Sequence, residues 1–123
     1  MKHYFRFTAL ITIIFVLASC ASKPGRDTPQ ADNYAEELYQ IQQYGEAATA
    51  FKQLAGATNG TNRTLFLLRA VTATAKAGKV TQAIQLFNSI QINEADIKQA
   101  SLARLTRAHI ALAERNAEEV LIQ

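Results

Sequence analysis

Residues 76–90 read KAGKVTQAIQLFNSI, and this segment decides the fold. Gly78 marks a turn, because glycine tolerates the left-handed backbone conformation that ends a helix. After the turn, Ala83, Phe87 and Ile90 are spaced four and three residues apart, which places them on one helix face. A small alanine lets a neighbouring helix approach closely, and the two bulky side chains fill the remaining space. The segment therefore predicts the end of one helix, a tight turn and a second helix that packs against its neighbours.

The same pattern occurs once more upstream and in a weaker form downstream. Ala47, Phe51 and Leu54 repeat it 36 residues before Ala83, and Val120 follows Ala83 by 37 residues. Helix pairs that recur at about 34 residues are typical of tetratricopeptide-like solenoids. We therefore predict an all-α, tetratricopeptide-like stack of helical hairpins. An irregular stack of hairpins with coincidental spacing is the alternative.

Turn-forming residues divide the chain after residue 28 into about six predicted helices. These cover residues 29–43, 46–55, 62–77, 80–89, 94–113 and 117–123. Gly45 is expected to break the first helix and Asn93 to cap the fifth, because asparagine is a favoured N-cap residue. The sixth helix is still apolar at its end, and a solenoid normally closes with a polar capping helix. We therefore expect the helical domain, residues 29–123, to be C-terminally incomplete.

The N-terminus has the features of a bacterial lipoprotein signal. Lys2 and Arg6 precede an apolar segment over residues 7–17, and Leu-Ala-Ser-Cys follows at residues 17–20. This run is shorter than the roughly 20 apolar residues that a membrane-spanning helix needs, so it predicts a removable signal. We predict a signal helix over residues 1–19, lipidation of Cys20 and a flexible tether over residues 20–28. An ordinary secretory signal that contains a cysteine is the alternative.

The cysteine count supports lipidation. Cys20 is the chain's single cysteine, so no disulfide can form within the chain, and an unlipidated exported protein would carry an unpaired thiol. Ala21, rather than aspartate, follows it, which favours delivery to the outer membrane. We therefore predict a lipid-anchored protein on the periplasmic face of the outer membrane.

Charge and residue inventory argue against nucleic-acid binding and catalysis. After residue 19 the chain keeps 11 Lys and Arg against 10 Asp and Glu, with no basic cluster of the kind that a nucleic-acid groove needs. His109 lacks partners at metal-ligand spacing. Glu118 and Glu119 are adjacent on a helix and point in different directions. No serine lies in a Gly-x-Ser-x-Gly motif, and no glycine-rich phosphate loop is present. We predict no enzymatic activity, no metal, no cofactor and no small-molecule substrate.

What remains is a binding surface. The first helices of stacked hairpins line a concave groove, and tyrosine and arginine are enriched at interaction hot spots. The candidate groove residues on these helices are Tyr34, Tyr39, Arg69, Arg104 and Arg107. Alternatively, the arginines only cover apolar neighbours with their aliphatic stems.

The order of motifs resembles one known family. A lipoprotein signal is followed by Leu-Leu-Arg-Ala at residues 67–70, Lys-Ala-Gly-Lys at 76–79 and Gln-Ala-Ile-Gln-Leu-Phe-Asn at 82–88. This sequence is similar to the N-terminal region of the LppC/LpoA family of penicillin-binding protein activators, most closely over residues 64–90. The resemblance implies an outer-membrane lipoprotein that binds and activates a bifunctional peptidoglycan synthase. It also implies a larger C-terminal domain, so this chain is expected to be the N-terminal helical part.

Two other functions remain open. A generic tetratricopeptide-type lipoprotein could serve as a scaffold in outer-membrane assembly or secretion. An enzyme that acts on the cell wall is disfavoured by the absence of a nucleophile motif or an acid pair.

Overall fold

The computed structural model describes the backbone of residues 28–122 and the side chains of residues 31–122. This part of the chain contains five α-helices and no strand, which confirms the all-α prediction there. The helices are α1 (Thr28–Gln40), α2 (Tyr44–Gly56), α3 (Gly60–Lys76), α4 (Val80–Asn88) and α5 (Ile97–Ile122). The predicted signal and the lipidation site Cys20 lie outside the described residues, as does the tether apart from Thr28.

The predicted fifth and sixth helices form one continuous helix. α5 runs from Ile97 to Ile122 without a break, whereas the sequence pattern placed a boundary near residues 114–116. That stretch contains no glycine or proline, so nothing interrupts the backbone hydrogen bonds there. The Nε of Arg115 lies 3.3 Å from Oε1 of Glu119, four residues on, and this pair spans the expected boundary. The prediction of a separate sixth helix was wrong.

The cap of α5 is Asp96 rather than the predicted Asn93. Oδ1 of Asp96 accepts hydrogen bonds from the backbone N–H groups of Lys98 and Gln99, at 2.9 and 3.2 Å. Asn93 instead accepts a bond from the N–H of Ala95 at 3.0 Å, which forms a short turn before the helix. The pKa of Asp96 is lowered, mainly because the N–H of Gln99 stabilises its carboxylate. Oε1 of Gln99 accepts a hydrogen bond from the N–H of Asn93 at 2.9 Å, which ties the preceding turn to the helix.

Two turns close the two hairpins with the same geometry. At the end of α3, Gly78 has φ +81°, and the N–H of Lys79 donates to the carbonyl of Thr74 at 3.2 Å. At the end of α1, Gln42 has φ +64°, and the N–H of Gln43 donates to the carbonyl of Leu38 at 2.9 Å. Both are Schellman turns, in which the left-handed residue follows the C-cap.

The left-handed position of the first turn therefore falls on Gln42, 36 residues before Gly78. Gly45, which the sequence suggested as the break, lies inside the first turn of α2. The repeat of 36 residues thus holds for the turn geometry even where the residue type differs.

The core consists of two apolar clusters that share α3. The first joins α1, α2 and α3, and its buried members include Leu38, Phe51 and Leu54. The second joins α3, α4 and α5 around Val71 and Ile110, and partly buried Phe87 packs against it. α3 is buried over residues 70–75 because it packs against α2, α4 and α5. The repeated Ala-Phe pattern thus faces the interior in both hairpins.

None of the described helices combines the length and the apolar composition that a membrane span requires.

Candidate binding surface

Five side chains from α1, α2 and α3 form a cluster of cations on aromatic rings, which we call the cation–aromatic cluster. Its members are Tyr39, Tyr44, Phe51, Arg69 and Lys76. Arg69 and Lys76 are seven residues apart on α3 and therefore share a face. The rings of Tyr39 and Tyr44 meet edge to face, with centroids 5.3 Å apart and planes at 72°.

Both cations lie over ring faces. The guanidinium carbon of Arg69 is 4.7 Å from the ring centroid of Tyr39 and 5.2 Å from that of Phe51. Nζ of Lys76 is 5.2 Å from the ring centroid of Tyr39 and 5.4 Å from that of Tyr44. Each such contact contributes about 0.5–1 kcal/mol at an exposed site. The two tyrosines thus hold the two cations side by side at the surface.

The charge of the cluster is only partly balanced. Arg69 forms a salt bridge with Glu36 on α1, and the two side chains are 29% and 44% exposed. A pair this accessible contributes between about 0 and 1 kcal/mol to stability. Lys76 forms no salt bridge with any residue between 31 and 122. The surface therefore keeps one uncompensated positive charge at Lys76.

His109, half-buried on α5, lies close enough to this cluster to respond to its charge. Its pKa is lowered, first because burial disfavours the charged imidazole, and then because the positive charges of Lys76 and Arg69 repel a proton. The neutral imidazole is therefore the favoured form at this site. His109 thus adds a residue of α5 to a surface that α1, α2 and α3 form.

Beside His109 an apolar groove runs along the second half of α5. Its volume is about 700 Å³, and we call it the α5 groove. One side is formed by α5 and the other by Tyr44, the end of α3 and the turn that precedes α4. The lining residues contributed by α5 are His109, Leu112, Ala113, Asn116, Ala117, Val120 and Leu121. Lys76 also lines the groove, and no carboxylate does.

The structure brings together two of the five predicted groove residues. Tyr39 and Arg69 are in contact within the cation–aromatic cluster. Tyr34 is 54% exposed and lines a separate cleft between α1 and α2. Arg104 is exposed on α5. The guanidinium of Arg107 lies 5.3 Å from the ring centroid of Phe87 on α4.

Helix geometry explains why Arg107 lies apart from the cluster. Residues two positions apart point to nearly opposite sides of a helix, because each residue turns the direction by about 100°. His109 faces the positive surface, so Arg107 faces α4 instead. The five predicted residues are thus distributed over four places on the surface.

Sequence reasoning missed three residues of this surface. The sequence pattern does not single out Lys76 or Tyr44 as binding residues, and it shows His109 only as a histidine without partners at metal-ligand spacing. The spacing of Arg69 and Lys76 predicts that they share a face of α3. The contributions of Tyr44 and His109 depend on how α2 and α5 pack on α3, which local sequence does not specify.

The chemical groups that this surface presents are cations, aromatic rings and apolar side chains. Among the described residues, no group of three or more histidine, cysteine, aspartate or glutamate side chains is placed to hold a metal ion. Cations on aromatic rings beside an apolar groove can bind a partner through charge and buried apolar area. Comparison of the chain with protein-family models, with curated proteins and with solved structures finds no match.

Proposed function

We propose that this protein is an outer-membrane lipoprotein that regulates peptidoglycan synthesis by binding and activating a bifunctional penicillin-binding protein. Its described helices form a tetratricopeptide-like docking surface, and lipid on Cys20 holds the chain at the periplasmic face of the membrane. The mechanism is binding rather than catalysis. The order of signal, hairpin and turn motifs in the sequence supports this proposal.

The observation that carries the binding role is the cation–aromatic cluster. Arg69 and Lys76 are held on the ring of Tyr39 at 4.7 and 5.2 Å, so their positions are fixed before a partner arrives. Fixing a side chain in advance reduces the entropy lost on association. Tyrosine and arginine are also the side chains that contribute most often to interface energy.

Packing supports the tetratricopeptide-like assignment. The buried residues Ala47 and Phe51 of α2 correspond to Ala83 and Phe87 of α4 at a spacing of 36 residues. Leu54 corresponds at the same spacing to Ile90, which lies just beyond the end of α4. The Schellman turns that precede these helices occur at the same spacing. Two successive hairpins therefore repeat both their turn geometry and their packing pattern, which is the basis of a solenoid.

A binding measurement with a purified bifunctional penicillin-binding protein tests the proposal. We expect the lipid-tethered full chain to retain the synthase and to raise its rate of glycan polymerisation. Lys76→Glu should weaken retention, whereas the exposed Lys98→Glu on α5 serves as the matched control for a change of charge alone. Retention no greater than that of an unrelated lipid-tethered protein would overturn the assignment.

The second candidate is a scaffold lipoprotein for outer-membrane protein assembly or secretion. The α5 groove favours it, because an apolar trough can accept a helix from many partners. Crosslinking in intact cells distinguishes the two functions. Recovery of assembly or secretion components together with the chain, and no synthase, would support the scaffold.

A further inference from the structure

The lining of the α5 groove includes four small residues, namely Ala75, Gly78, Ala113 and Ala117. Small side chains let a second helix approach to the short end of the usual interaxial range of about 8–10 Å. The lining also includes Leu112, Val120 and Leu121, which are 56%, 74% and 87% exposed. A small-molecule site encloses most of its ligand, whereas lining residues this exposed leave the groove open to solvent.

The groove is also polarised. Lys76 and His109 lie at its α3 end, and Arg69 is seven residues before Lys76 on the same face of α3. No aspartate or glutamate lines it. Toward Leu121 the lining is apolar apart from Asn116. An occupant that complements this surface needs an apolar face and a negative charge at one end of that face.

We propose that the α5 groove binds an amphipathic helix of a partner protein, with its apolar face on the small and apolar lining residues and a carboxylate directed at Lys76. Such a helix presents apolar anchors at positions i, i+3, i+4 and i+7, which is a common mode of helix-in-groove recognition. The inference goes beyond the proposed function, since it concerns the chemistry of the bound segment and does not require that the partner be a synthase.

Two peptides that differ only in charge test the proposal. Both are designed amphipathic helices with a leucine and alanine face; one carries glutamate beside that face and the other carries lysine at the same positions. We expect the full chain to bind the glutamate peptide about fivefold more tightly at low salt. The difference should shrink as salt is added, because exposed charges are screened. Fluorescence anisotropy of labelled peptide gives both dissociation constants.

Three variants assign the binding to the groove. Ala117→Glu places a charged side chain in the apolar lining and should abolish binding of both peptides, whereas Ala111→Glu, exposed on another face of α5, should leave it unchanged. Lys76→Glu should reverse the preference between the peptides. Far-UV circular dichroism and the melting temperature of each variant establish that the fold is retained.

A titration of His109 gives an independent readout. Because positive charge already lowers the pKa of its imidazole, a carboxylate brought to Lys76 should raise that pKa. Nuclear magnetic resonance of the imidazole proton should therefore show a higher pKa with the glutamate peptide and no rise with the lysine peptide.

Three results would overturn the proposal. The first is the absence of saturable binding of the glutamate peptide, and the second is equal affinity for both peptides. The third is concentration-dependent self-association of the full chain that Ala117→Glu abolishes, which would assign the groove to a second copy of this chain.

Discussion

The hydroxyl oxygens of Thr72 on α3 and Thr106 on α5 lie 3.3 Å apart, in a buried contact between residues 34 positions apart in sequence. Thr106 donates its proton to the carbonyl of Leu102 at 2.8 Å, so its oxygen is free to accept from Thr72. Thr72 also has the carbonyl of Leu68 within 3.2 Å. Each hydroxyl thus has a partner in its own helix, and the contact between them joins α3 to α5.

This contact should make a modest contribution to stability. Thr106→Val keeps the volume and removes the hydroxyl, so we expect a loss of about 0.5–1.5 kcal/mol, the usual net contribution of one hydrogen bond. Thr106→Ala should cost more, because it also leaves a cavity. Urea unfolding followed by circular dichroism measures both.

The double variant Thr72→Val with Thr106→Val isolates the pairwise part. We expect the double variant to be more stable than the sum of the two single losses predicts. Each single change already removes the shared hydrogen bond, so the second change cannot remove it again. Strictly additive losses would show that the two hydroxyls do not interact.

Exchanging glycine and glutamine at the two Schellman turns should have opposite effects on the stability of the protein. Gly78→Gln places a side chain at φ +81° and should destabilise the protein by about 1–2 kcal/mol. Gln42→Gly relieves that strain at φ +64° and should stabilise it by up to about 1 kcal/mol. Gly78 has no atoms within 4 Å of an added Cβ, so the effect comes from the backbone.

Gly45 is the control for these turns. It lies within α2, its φ is not positive, and an added Cβ would meet nothing within 4 Å. Gly45→Ala should therefore stabilise the protein by up to about 1 kcal/mol, the difference in helix propensity. A stabilising Gly78→Gln or a destabilising Gly45→Ala would contradict this account of the turns. Thermal unfolding of all three variants decides the matter.

The two phenylalanines of the repeat should differ in their contribution to the core. Phe51 is 3% exposed, and Phe51→Ala should cost about 3–5 kcal/mol. Phe87 is only partly buried against the second cluster, so Phe87→Ala should cost less. Chemical denaturation of the two variants measures the difference, and an equal or larger loss for Phe87→Ala would show that the second cluster is the dominant one.

The parts of the fold that local sequence predicts are those set by side-chain spacing. The burial of Ala47, Phe51 and Leu54 follows from their common helix face, and Gly78 follows from its conformational freedom. The turn at Gln42 does not follow, because the left-handed residue there is not glycine, and nearby Gly45 offered a plausible alternative. Asn93 and Asp96 are both good cap residues, and only the packing of the loop decides between them.

The site was predictable to a smaller extent. Tyr39 and Arg69 lie on the first helices of their hairpins, as expected. The contribution of Lys76 depends on tyrosine rings from α1 and α2, and that of His109 depends on the rotation of α5 about its axis. Residue spacing within one helix predicts neither the contribution of Lys76 nor that of His109, because contacts between helices determine both.

His109 makes the stability of the protein depend on pH. Its pKa in the folded protein lies below its ordinary value of 6.5, so the unfolded chain takes up a proton at a higher pH than the folded chain does. Stability is therefore complete above that ordinary value and declines as the pH falls through it, until folded His109 is protonated as well. The decline should be small, because the imidazole is only half-buried. Urea unfolding at pH 7.5 and pH 5 measures it.

Two variants test whether His109 and its neighbours are the cause. His109→Gln should remove the decline between these pH values, since the capping carboxylate of Asp96 has a lowered pKa and does not titrate in this window. Lys76→Gln removes one of the repelling charges, so the pKa of His109 should rise toward its ordinary value and the decline should become shallower. An unchanged pKa in Lys76→Gln would show that Lys76 does not act on His109 and would leave burial, the largest cause, together with Arg69 as the explanation.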